Sequence, residues 1–191
     1  MFARGFKTWC EKAAAQHRSG LGLQARDPLN AMVLAESLGI DVHSLDEVPG
    51  LDDECRSVLL SDSGGWSAVT LTSGPRSVVI LNSAHSDARS ASDLMHELSH
   101  LLLGHKAGRI DITEDGSLVL NTYDRTQEDE ANWLAGCLLF PREALLWILK
   151  QQLEPEQAAR LYHASVAMFN YRVNVTGVRQ QIKFRTRVSP H

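Results

Sequence analysis

With 191 residues and 43% hydrophobic content, the chain can bury one sizeable core but not several. A formal net charge of -4 and an isoelectric point near 6.0 exclude a globally basic nucleic-acid binder. Cys10, Cys55 and Cys137 are odd in number, far apart and without C-x-x-C spacing, which excludes a disulfide framework and a cysteine zinc site. Reduced thiols are expected, with Cys137 in the core.

Taken in chain order, helices are predicted over 6–17 and, after Gly20-Leu21-Gly22, over 28–38. Arg4, Lys7, Glu11, Lys12 and Arg18 interrupt the first 22 residues, so neither a signal peptide nor a membrane span is expected, and a cytoplasmic location is. β-rich runs at 56–60, 66–72 and 76–81 are separated by the turn signals Ser63-Gly64-Gly65 and Ser73-Gly74-Pro75, and read as a small antiparallel meander. A helix follows from Leu94 to Leu103, with Ser90-Ala91-Ser92-Asp93 as its capping box and Gly104 as its stop. Segments 109–112 and 117–120 flank Asp115-Gly116 and either pair as a hairpin or stay a loop. Helices then run over 126–140, 142–151, 155–163 and 165–171, giving an α+β chain with a helical C-terminal part.

The chemistry lies in the helix that ends at Gly104. His96-Glu97-Leu98-Ser99-His100 is an HExxH motif: residues four apart on a helix sit only about 40° apart around its axis, so the two imidazoles can share one metal. Glu97 then stands beside the metal as a base for water. Leu94, Met95, Leu98, Leu101, Leu102 and Leu103 surround the histidines with apolar side chains, which marks a helix buried on most of its circumference.

Catalytic zinc normally takes three protein ligands, so a third is required. His105 is nine residues beyond His96, roughly 180° away on a continued helix, and is read instead as a C-terminal residue at the negative end of the helix dipole. The metzincin pattern needs Gly and His where Leu103 and Lys106 stand, so that clan is excluded. The acidic start of the 126–140 helix offers Glu128 and Glu130. Glu128 is favoured because Asn132, four residues on, shares its face and can hydrogen-bond a ligand; Glu130 has Leu134 there and stays the alternative. Asp129 complements the helix dipole. Tyr123, His163 and Arg172 are candidates for the donor that stabilises an oxyanion. Segments 155–163 and 165–171 have a helix-turn-helix look, but Val166, Ala167, Met168, Phe169 and Tyr171 suit core packing rather than base contacts, and Arg172 is read as bracing the site or pairing an internal acid. The basic residues Arg172, Arg179, Lys183, Arg185 and Arg187 read as a solvated tail.

Two blocks resemble the ImmA/IrrE family of metallopeptidases. Met95-His96-Glu97-Leu98-Ser99-His100-Leu101-Leu102-Leu103-Gly104-His105 resembles its active-site helix, and Glu128-Asp129-Glu130-Ala131-Asn132 through Leu138-Leu139-Phe140-Pro141 its E-x-E-A-N block. Further likeness runs through Trp66-Ser67-Ala68-Val69-Thr70, Val79-Ile80-Leu81-Asn82 and Arg89, and extends over roughly residues 20 to 180. Phe140, Val173 and Leu134 depart from the family's usual Met, Leu and Phe, all apolar exchanges.

The resemblance implies a minimal gluzincin-like fold in which the meander packs on the HExxH helix. It also implies zinc held by His96, His100 and Glu128, with manganese as an in vitro substitute, and Glu97 as the catalytic base. The implied activity is endopeptidase cleavage of a helix-turn-helix transcriptional repressor; the charge and the interrupted N-terminal run lead us to expect no direct nucleic-acid or membrane partner. The alternative is a zinc-holding regulator that sequesters a repressor uncut. Residues 1–150 are expected to form the peptidase domain, and 151–191 a helical extension packed on it.

Overall fold

The computed structural model describes residues 2–61, 66–73, 76–105, 109–112, 118–121 and 124–182. The chain opens with α1 (Phe6–Gly20) and α2 (Ala31–Ser37), the latter capped by Asn30, whose side chain accepts from the Met32 and Val33 amides. Strand β1 (Asp41–Ser44) and a 3-10 turn at Leu45–Glu47 lead into α3 (Asp53–Ser61), then β2 (Ala68–Ser73) and β3 (Arg76–Leu81). Helix α4 (Asp87–Leu103) is followed by the paired strands β4 (Arg109–Ile112) and β5 (Leu118–Asn121), and then by α5 (Arg125–Leu139), α6 (Arg142–Lys150), α7 (Pro155–Leu161) and α8 (Val166–Thr176).

The main sheet has the order β1-β3-β2. β2 and β3 form the expected antiparallel pair, but β1 joins β3 in parallel, so the sheet is mixed. The third strand is therefore not the 56–60 run. That run is helical because Asp52 receives the Cys55 amide and the acids Asp53 and Glu54 occupy the first turn. A five-residue segment with only Val58, Leu59 and Leu60 apolar has no period of its own to decide between strand and helix.

The HExxH helix also begins earlier than its expected capping box. α4 starts at Asp87, and Ser92 is an interior residue whose hydroxyl bonds back to the Ala88 carbonyl. Val79 is fully buried at the centre of the sheet, and Thr70 pairs with it in register, so Ala68, Thr70 and Thr72 point to the same side. That side faces α4. β2 is an edge: among the described residues no strand pairs with its outer side.

One core runs from Cys10 on α1 to Val178, with α5 at its centre, buried without a break from Trp133 to Phe140. Among the described residues, Arg18 and Arg172 are fully buried, and both serve the end of this helix. Arg18 donates to the Leu138 carbonyl at 2.6 Å and Arg172 to the Phe140 carbonyl at 3.1 Å. The last carbonyls of a helix have no partner within it and carry the negative end of its dipole, so two guanidinium groups satisfy both needs. Burial holds Arg18 below the usual range, at about 10, still well above neutrality. Arg172 is further balanced by Glu11 at 2.7 Å. Tyr162 donates to the Arg26 carbonyl at 2.7 Å, which ties the C-terminal helices to the N-terminal segment.

Candidate metal centre

α4 and α5 pack side by side and bring three donors together. His96 Nε2 and His100 Nε2 are 3.0 Å apart; Glu128 places one carboxylate oxygen 3.2 Å from His96 Nε2 and the other 3.3 Å from His100 Nε2. Zinc at bond lengths of about 2.0–2.1 Å separates tetrahedral neighbours by roughly 3.3–3.4 Å. The spacings, with the two Glu128 oxygens each facing one histidine, are short enough for the three side chains to share one metal ion. Among the described residues these three form the group able to hold a metal ion.

Each histidine of the triangle is held from behind. His96 Nδ1 meets Asn132 Oδ1 at 3.1 Å, so Asn132 accepts the proton on Nδ1 and leaves the Nε2 lone pair facing the triangle. His100 Nδ1 meets His105 Nδ1 at 3.0 Å, and His105 Nε2 faces Glu130 at 3.3 Å. Burial first, then the neighbouring His96 and His105, lower the His100 pKa to about 4, so its ring is neutral at pH 7 and free to bind metal.

Glu97 points toward the sheet and takes a hydrogen bond from the Thr70 hydroxyl on the edge strand β2. Burial raises its pKa above the usual carboxylate range; Thr70 and His96 oppose that shift, and Glu128 and Asp93 reinforce it. A carboxylate so poised is a better proton acceptor than one in water.

A family model matches residues 35–174, which include every residue of the triangle, Glu97 and both partners of the ligand histidines. The chain belongs to the IrrE N-terminal-like peptidase family. It is thus a metallopeptidase of that family, as the two sequence blocks implied. No curated protein matches the chain.

The remaining candidates are distributed differently. Glu130 reaches His105 instead of joining the triangle, and Asp129 is exposed in the first turns of α5. Arg172 has no exposed surface and is committed to Glu11 and Phe140, so no substrate oxygen can reach it. His163 is exposed in a groove of about 530 Å³ with Asp87, Ala88 and Ala91 at the start of α4. At 1.5 Å per residue, Ala88 lies roughly 13 Å along the helix from Glu97. Tyr123 lies outside the described residues. Of the α8 residues expected to pack, Phe169 is buried, Val166, Met168 and Tyr171 are half-buried and Ala167 is exposed; Arg172 and Val173 complete the buried face.

Two features escaped the sequence reading. Thr70 could have been found from the alternation of 68–72, which puts it on the face of Ala68 and Thr72. His105 was set aside by a rotation that assumes helix beyond Gly104. Gly104 is left-handed (φ 66°), its amide bonds to Leu101 O and the His105 amide returns to His100 O at 3.0 Å. This Schellman turn folds His105 back onto the turn that carries His100.

Proposed function

We propose that the protein is a zinc-dependent endopeptidase of the cytoplasm that cuts a helix-turn-helix transcriptional repressor at one site. Residues 1–150 would carry the peptidase unit and 151–191 pack onto it. The single observation that carries the reading is the His96–His100–Glu128 group, close enough to share one metal ion, next to a half-buried carboxylate, Glu97, that a metal-holding site alone would not need. Zinc held there by His96, His100 and Glu128 would supply Lewis acidity to polarise the scissile carbonyl and activate water.

The chain's own residues supply the rest. Glu97 accepts the proton of the attacking water and delivers it to the leaving amine, while the Thr70 hydroxyl orients the carboxylate. The open edge of β2 supports substrate entry by strand addition: a peptide laid along Ala68–Ser73 passes the residue that touches Glu97. Such binding requires an extended segment, so a folded repressor would be cut in a linker or a locally unfolding helix. Among the described residues no helix is long and apolar enough to cross a membrane.

The test is incubation of the purified protein with a repressor encoded beside it, in zinc, in manganese and with chelator, against casein as control. One cut product, lost with chelator and absent for casein, is the expected result. Broad digestion of unfolded proteins would overturn repressor specificity. Tight repressor binding with no product under either metal would replace the peptidase with a sequestering regulator.

A further inference from the structure

We propose that His105 and Glu130 are positioning residues that fix His100 as a metal ligand and thereby set the protein's metal affinity; this rests on the zinc reading above. Every ring nitrogen along the line is assigned by its partner. His100 must offer the Nε2 lone pair to the triangle, so its proton sits on Nδ1 and is donated to His105 Nδ1 at 3.0 Å. His105 Nδ1 then accepts, and its own proton sits on Nε2, 3.3 Å from the Glu130 carboxylate. One tautomer satisfies all three groups. The opposite tautomer of His105 would set two N–H groups against each other and leave Glu130 without a donor.

The brace is built into the fold at both ends. The Schellman turn at Gly104 anchors the His105 backbone to the His100 carbonyl. Glu130 leaves α5 two residues after the ligand Glu128, so one short stretch of helix supplies both a ligand and the end of the brace. The His105 side chain is only 8% exposed, so water cannot readily replace it as acceptor. His96 is held by a different and simpler device, the Asn132 carbonyl. Partners of this kind typically contribute 10–100-fold to metal affinity.

The experiment measures zinc affinity by competition with a chromophoric chelator, together with long-range ¹H–¹⁵N spectra of the histidine rings in the zinc-loaded protein. His105→Phe keeps bulk but has no acceptor and should weaken zinc binding by about 10–100-fold. His105→Asn puts an amide oxygen where Nδ1 stood and should recover most of that loss, and Glu130→Leu should lose about tenfold while Glu130→Gln loses less. The spectra should show His100 protonated on Nδ1 and His105 on Nε2. If His105→Phe does not fold, Glu130→Leu carries the same comparison. Unchanged affinity in the Phe and Leu variants, equal losses in His105→Asn and His105→Phe, or the reverse tautomers would overturn the brace. A wild-type chain that binds no zinc would sink the zinc reading itself, whereas a zinc-binding chain whose affinity the variants leave unchanged would sink the brace alone.

Discussion

Gly136 lies on the central helix α5, and a Cβ added there would sit 2.2 Å from Arg172 Cδ and 2.9 Å from Cγ. The contact cannot be relieved by swinging a flexible end away. The guanidinium is tied to Phe140 and Glu11, and the whole side chain is without exposed surface. Gly136→Ala should gain about 1 kcal/mol of helix propensity. Against that stand an overpacking cost of about 1–3 kcal/mol and, if Arg172 leaves Glu11, part of the roughly 3–5 kcal/mol that breaking a buried ion pair costs. The net expectation is a loss of about 2–4 kcal/mol, which for a chain of this size lowers Tm by roughly 4–16 °C. Urea and thermal unfolding measure it. The decisive comparison repeats the substitution in an Arg172→Ala background, where Cγ and Cδ are gone and Gly136→Ala should become neutral or stabilising. A Gly136→Ala protein as stable as wild type, or the same loss in both backgrounds, would refute the close approach as the reason for this glycine.

His96→Ala, His100→Ala or Glu128→Ala should each abolish stoichiometric zinc binding, measured by metal analysis after dialysis, because two ligands seldom hold a catalytic ion. Glu97→Gln should keep zinc and lower cleavage by roughly 10²–10⁴-fold in a peptide assay. The same variant should make the metal-free protein more stable at pH 7. The folded carboxyl binds its proton more tightly than the unfolded one, so its charge opposes folding above the ordinary carboxylate pKa, and the advantage of Gln should vanish as pH falls below that value. Thr70→Val removes the donor that lowers the Glu97 pKa, so the acid limb of the kcat/KM profile should move to higher pH; an unmoved limb would detach Thr70 from the base. Gly104→Ala meets no neighbour, so its cost is conformational, about 1–2 kcal/mol in equilibrium unfolding, and Gly104→Asn should lose less.

The site was legible wherever its geometry is local. His96 and His100 share a helical face by spacing alone, and Asn132 marked Glu128 through the same four-residue step; in the structure Asn132 holds His96 while Glu128 faces both histidines. The fold was less legible where partners are distant. β1 is four residues whose strand character comes from β3, thirty-seven positions away at Asp41↔Val78, and nothing within Asp41–Ser44 announces it. The segment at Arg56 became helix because Asp52, Asp53 and Glu54 act at its start, a local cue that the following Val58, Leu59 and Leu60 mask when the sequence is read for strands. Arg172 carried the right chemistry for an oxyanion donor, but its place is set by Gly136 on α5, Phe140 at the end of α5 and Glu11 on α1, all far from it in sequence.

His105 shows most clearly where reasoning from helical phase stops. Gly104 could be read as a helix terminus, and a terminus in the left-handed conformation ends the regular rotation that phase arguments require. Beyond it, the direction of the chain is set by two hydrogen bonds to carbonyls already passed, at Leu101 and His100. A residue two places after the helix therefore lies against the turn that precedes its end, on the side where the carbonyl of His100 happens to point. The sequence H-x-x-x-G-H thus has a reading that neither a continued helix nor a loop provides. The final histidine returns to the first, and whether it ligates or braces is decided by the tautomer the first must adopt.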